Sequence, residues 1–180
     1  QEIEKVDSNS GPKVFAEEAT LQTRNHTLRV LLVMGQPFIL AQSKSFQTFF
    51  ERALETASVV LYSGHTGQGY NLDPKIISFP FGKVVAPNKY QILHFATCLP
   101  YTFYAHKYFA WKKTAQEPDG SRNMDFLTYS GDETLYDHMA HDLITTLTAI
   151  EDWSAGRKKW SYLEMARQNV HDRNAFLIMG

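Results

Sequence analysis

The chain has 180 residues, 43% of them hydrophobic and 21% charged, with a formal net charge of −1 at pH 7. That length and balance suit one folded domain with a sizeable core, and the charge gives no basic excess for nucleic acid or an anionic membrane. No apolar run approaches the roughly 20 residues needed to span a bilayer. In chain order, residues 1–13, with Asp7, Asn9, Gly11 and Pro12, read as a lead-in or turn. Val14–Gln22 suits either a short strand or a helix, so residues 1–26 are taken as a lead-in segment and 27–180 as the domain. Thr27–Met34 is β-branched and apolar and stops at Gly35 and Pro37, the pattern of a buried strand.

Ser43 or Ser45 caps a helix to about Ala57, with Phe46, Phe49, Phe50, Ala53 and Leu54 at helical spacing. The apolar run Val59–Tyr62 closes on Ser63 and Gly64, and His65 follows. The loop Thr66–Asn88 is rich in Gly, Pro and Asn. Its length marks it as functional, with a short hairpin expected around Ile76–Val85. A strand over Tyr90–Thr97 then delivers Cys98, the one cysteine, so no internal disulfide is possible. A helix is predicted over Tyr101–Lys113, then a polar loop over Thr114–Arg122, expected to be exposed and easily nicked. Met124–Tyr129 reads as a strand ended by Ser130, Gly131 and Asp132. A long helix from near Glu133 turns Leu135, Met139, Leu143, Leu147 and Ile150 inward; a further helix spans Lys158–Val170, and Ala175–Met179 is a last strand. This alternation builds an α/β domain, a mostly parallel sheet with helices on both faces.

His65 and Cys98 follow successive apolar strands, each beside small residues that leave room for close approach. Either one alone is more often a satisfied core residue. Together, at the ends of adjacent parallel strands, they supply the parts of thiolate catalysis. A rival constellation is His138, His141 and Asp142, where the spacing shares one helix face; it lacks the intervening Glu of the zinc-protease helix motif, and a solvated face is the expectation. His94 alternates with inward positions and is expected in the core, His106 and Lys107 on the surface. Tyr101, Tyr104, Phe109 and Trp111 could line a groove, but aromatics at helical spacing are more often core.

The pattern resembles the caspase-like cysteine peptidase fold shared by caspases, legumain, clostripain and gingipains. Ser63-Gly64-His65 and Ala96-Thr97-Cys98 match its two strand-end motifs, Leu127–Leu143 is similar to its later strand and helix, and Asn174–Gly180 resembles the final strand of gingipain-like domains. The resemblance covers about residues 27–180. It implies a cysteine endopeptidase acting on protein or peptide substrates with no metal or cofactor: Cys98 attacks the carbonyl, His65 serves as general acid and base, and the N–H groups of Cys98 and of Thr66 or Gly67 form the oxyanion hole. The family has Gly directly after the histidine, where this chain has Thr66. It often has Gln, Glu or Asp in the specificity pocket where this chain has Ala96. Asp132 and Glu133 resemble the pocket wall, or else cap the helix that follows. The rival readings are a catalytically idle domain of the same fold serving as a binding or scaffold module, and a metal hydrolase centred on His138 and His141. The chain begins at Gln1 rather than Met, from which an exported protein is expected.

Overall fold

The structure is a computed structural model and describes residues 15–34, 44–77, 87–129, 136–169 and 176–179. Strands β1 (Phe15–Gln22) and β2 (Thr27–Met34) form an antiparallel hairpin that is a sheet of its own. Its turn is closed by the Thr23 N–H on the carbonyl of His26 at 2.9 Å. Residues 15–26, read as lead-in, are thus the first strand and turn of this hairpin. Thr27–Met34 is a strand as expected, but it is not a buried one: Leu31 and Leu32 are 42% and 50% exposed. The physical reason is its partner. An antiparallel neighbour needs only a short turn, so the preceding segment pairs with it locally, and the exposed Arg29–Glu18 ion pair lies across the two strands.

The main sheet has the order β3–β4–β5–β6. Strands β3 (Val59–Ser63), β4 (Gln91–Ala96) and β5 (Met124–Tyr129) are parallel, and β6 (Phe176–Met179) runs antiparallel to β5. The α/β class and the parallel heart of the sheet are therefore as expected. In β4, Leu93, His94, Phe95 and Ala96 are all fully or nearly fully buried, as befits a parallel strand covered on both faces.

On one face lie α1 (Lys44–Thr56), with Phe46, Phe50 and Leu54 buried, and α3 (His106–Lys112), with Tyr108 buried. Phe95 is the hub of this side, its ring centroid 5.1–6.3 Å from those of Phe50, Tyr62, Tyr104, Tyr108 and Phe126. The other face is covered by α4 (Tyr136–Ala155) and α5 (Tyr162–Asn169), which pack Ala149 and Met165 with Leu127. His94 is a core residue, as expected: its Nδ1 is 2.8 Å from the Thr146 hydroxyl of α4.

That contact overturns part of the helix face read from sequence. Leu147 is 43% exposed, whereas Thr145, Thr146 and Ala149 are buried. A buried imidazole needs a hydrogen-bonding partner, so the hydroxyl side of α4 turns inward in place of the leucine. Ile150 is half-buried, while Leu135 and the side chains of Met139 and Leu143 lie outside the described residues. The last helix begins at Tyr162 and not at Lys158, because Ser161 and Glu164 form a capping box: the Ser161 N–H donates to the Glu164 carboxylate at 2.8 Å and the Glu164 N–H to the Ser161 hydroxyl at 3.2 Å.

Two loop expectations change as well. Pro74–Ile77 forms a single helical turn, α2, so Ile76 and Ile77 are not in a hairpin; residues 78–86 lie outside the described set. The loop 114–122 is not exposed throughout. Glu117 is buried and accepts the N–H of Ser121 at 3.2 Å, and Gly120 packs so closely that a Cβ there would lie 1.9 Å from the Phe109 carbonyl oxygen.

Candidate active site

Strands β3 and β4 run side by side with Ser63 opposite Ala96, and the Gly64 N–H continues the ladder onto the Ala96 carbonyl at 3.3 Å. His65 and Cys98 each lie two residues beyond these paired carboxyl ends. Both residues are half-buried. The two side chains that sequence singled out are therefore brought to one end of one sheet by adjacent parallel strands.

The His65 segment is held by its own backbone. The His65 carbonyl accepts the Tyr62 hydroxyl at 2.9 Å and the Asn71 amide at 2.7 Å. Burial pushes the Tyr62 phenol up to about 12, opposed in part by its hydrogen bond with Asn71, so it remains a donor at any ordinary pH. Beyond His65 the chain coils through Gly67 (φ +56°), Gln68 (φ +55°) and Gly69 (φ +89°). The Gly69 and Tyr70 N–H groups close onto the carbonyls of Thr66 and Gly67 at 3.1 and 3.2 Å. Positive φ at successive residues is the reason for the glycines. At Gly67 space matters too, since a Cβ would fall 2.4 Å from the Asn71 Oδ1. The β-branched Thr66 sits just ahead of this left-handed turn, with its side chain buried.

The Cys98 segment is a sharp strand-to-helix turn. Ala96 ends the ladder, and the Phe103 N–H already donates to the Leu99 carbonyl at 3.2 Å, so Thr97 and Cys98 occupy the bend. Leu99 has φ +46°, an uncommon conformation for a non-glycine residue. A π-helical turn over Tyr101–Ala105 follows and runs into α3. Thr97 is buried, and its hydroxyl has no hydrogen-bond partner among the described residues.

The two segments are joined. The buried Tyr104 hydroxyl donates to the Thr66 carbonyl at 2.7 Å, and Gly69 lies against Phe103, where a Cβ would come within 2.8 Å of the ring. Behind them Tyr108 donates to the Leu72 carbonyl at 2.8 Å, and Lys107 pairs with Asp73 at 2.5 Å, so Lys107, read as a surface residue, is half-buried.

Ala96 is fully buried and exposes no surface; Asp132 and Glu133 lie outside the described residues. His138, His141 and Asp142 fall on α4, but their side chains are not among those described. Among the described residues no three His, Cys, Asp or Glu side chains are grouped so as to hold a metal ion, and no helix is long and apolar enough to cross a membrane. Tyr101 is half exposed; Tyr104 is buried. Sequence reasoning missed Tyr62, Asn71, Leu99 and the hydroxyl of Tyr104. Only the Gly67-Gln68-Gly69 run gave a signal, that of a turn requiring positive φ. Comparison with protein-family models, with curated proteins and with solved structures finds no match to this chain.

Proposed function

We propose that the chain is a cysteine endopeptidase of caspase-like fold. Cys98 attacks a peptide carbonyl as the thiolate, and His65 protonates the leaving amine and then activates water for deacylation. The N–H groups of Cys98 and of Thr66 or Gly67 hold the oxyanion. The observation that carries the reading is that His65 and Cys98 each follow, by two residues, the carboxyl end of one of two adjacent parallel strands. The bend at Leu99 adds support, because it turns the chain directly after Cys98 into a helix whose amino end favours negative charge. The substrate class is protein or peptide, and the chemistry calls for no metal or cofactor.

The test is hydrolysis of a fluorogenic peptide library by the intact chain and by Cys98→Ala and His65→Ala, with and without EDTA. The expected result is activity that survives EDTA and disappears in both variants. At pH 6, Cys98 should also react with iodoacetamide roughly tenfold faster than a free thiol, an advantage that His65→Ala removes. A Cys98 that labels only after unfolding, together with no hydrolysis, leaves the idle binding-module reading. Activity lost to EDTA and restored by zinc transfers the chemistry to His138 and His141.

A further inference from the structure

We propose that Tyr104 is a positioning residue, whose buried hydroxyl fixes the His65 loop relative to the Cys98 turn. This inference rests on the peptidase reading. Tyr104 is fully buried, donates to the Thr66 carbonyl at 2.7 Å and accepts the Leu72 N–H at 3.4 Å. Thr66 directly follows His65, and Tyr104 lies in the π-helical turn that directly follows the Cys98 bend. This hydrogen bond ties the residue next to His65 to the turn after Cys98, while Tyr108 and Lys107 tie the far end of the same loop at Leu72 and Asp73.

The Thr66 carbonyl also accepts the N–H groups of Gly69 at 3.1 Å and Asn71 at 3.0 Å. Those two donors belong to the loop itself and set its shape. Tyr104 comes from the other strand's segment and sets where that shape stands. The π-turn makes this reach possible, for it turns both Tyr104 and Ala105 into the core at successive positions. Burial holds the Tyr104 phenol above its ordinary pKa, so the hydroxyl stays a donor across the pH range of the reaction. Deleting that one oxygen removes the tie at Thr66, beside His65, and leaves the ties at Gly64, Leu72 and Asp73, so the His65 end of the loop gains freedom against Cys98. A displacement of about 1 Å in a reacting group costs up to ~100-fold in rate.

Tyr108 is the matched control. It is equally buried, and its hydroxyl donates to the Leu72 carbonyl at 2.8 Å, at the far end of the same loop and seven residues from His65. Tyr104→Phe and Tyr108→Phe are compared with the intact chain by Tm, by kcat and KM on one peptide, and by the rate of iodoacetamide labelling of Cys98 at pH 6. Both variants should lower Tm to a similar extent. Tyr104→Phe alone should lower kcat about tenfold or more with KM within about twofold, and should slow labelling toward the rate of His65→Ala. If Tyr104→Phe matches Tyr108→Phe in kcat and in labelling, the hydroxyl is purely structural and the proposal is overturned. If the intact chain shows no hydrolysis dependent on Cys98, the peptidase reading falls, and labelling still decides the matter. Tyr104→Phe must then follow His65→Ala below the intact chain, and equal rates in all three overturn it.

Discussion

At the amino ends of β4 and β5, polar side chains are paired with backbone carbonyls and with one another. Gln91 is fully buried; its amide donates to the carbonyls of Leu54 and Ala57 at 2.8 and 2.7 Å, and its carbonyl oxygen accepts the Lys112 ammonium at 2.7 Å. Lys112, also fully buried, reaches the Lys89 carbonyl at 2.6 Å, and the hydroxyls of Tyr90 and Tyr162 both donate to Asp125. At the carboxyl ends the same sheet is finished with positive-φ residues and two half-buried side chains, His65 and Cys98, and side chains grip the main chain at His65 and Thr66. One end closes the fold. The other spends its hydrogen bonds on holding a loop open, and the difference separates polar residues that stabilise from polar residues that are presented.

One pH effect should come from the closed end. Burial, with Lys89 nearby, lowers Lys112 to about 8 from the usual 10.5. The unfolded chain then binds more protons than the folded one between those values, so unfolding free energy rises with pH across that window. At about 1.4 kcal/mol per unit, the gain between pH 8 and about 9.5 is roughly 2 kcal/mol. Denaturant melts of the intact chain and of Lys112→Met at several pH values in that range measure it. The intact chain should gain on the variant as pH rises; parallel curves would show that the ammonium keeps its ordinary proton affinity despite burial. Such a change at the closed end should leave Cys98 labelling unmoved.

Between the ends sits His94, lowered to about 4 from 6.5 by burial alone. Here the folded form prefers the neutral ring, so the contribution is complete above about pH 6.5 and is lost as pH falls toward 4, worth about 3 kcal/mol by the end. The acid limb of stability should flatten in His94→Gln relative to the intact chain. An unchanged difference between pH 7 and pH 4.5 would mean that water or a counter-charge reaches the ring.

How much of this was legible in the sequence depends on whether the signal is local. Strands β3, β4 and β5 were read within a residue of their ends, since their apolar runs stop at Ser63, Thr97 and Tyr129, and His65 and Cys98 could be picked out because they follow such stops. The hairpin was misread because Glu17 and Glu18 break the alternation of β1, which hid the partner that β2 pairs with. The inward face of α4 was misread because a hydrophobic count favours Leu147, while the decision was made by His94 on a strand 52 residues away. The Ser161–Glu164 box carries the local spacing of a helix start, three residues beyond the Lys158 from which the helix was expected. Nothing local marks Tyr104, whose hydroxyl meets a carbonyl 38 positions earlier.

The smallest expected effect tests the geometry of the open end itself. Gln68 and Leu99 are both non-glycine residues with positive φ, one beside each half of the site. A left-handed backbone costs an ordinary residue about 1–2 kcal/mol, and glycine avoids this at an entropic cost of about 0.5–1 kcal/mol in the unfolded chain. Gln68 is exposed, so its side chain offers little to lose, and Gln68→Gly should raise stability by about 0.5–1 kcal/mol with hydrolysis and Cys98 labelling unchanged. Leu99 is half-buried, and Leu99→Gly forfeits packing as it relieves strain, so the two effects oppose and the net change should be near zero or unfavourable. Gln68→Val is the converse: a β-branched residue resists positive φ, the turn that carries Gly67 and Gly69 is forced to shift, and the His65 carbonyl loses its fit to Asn71. That variant should lose both stability and labelling rate. Should Gln68→Gly instead prove destabilising, the residue does not hold a left-handed conformation in solution, and the support drawn here for His65 would have to come from Tyr62 and Tyr104 without the turn.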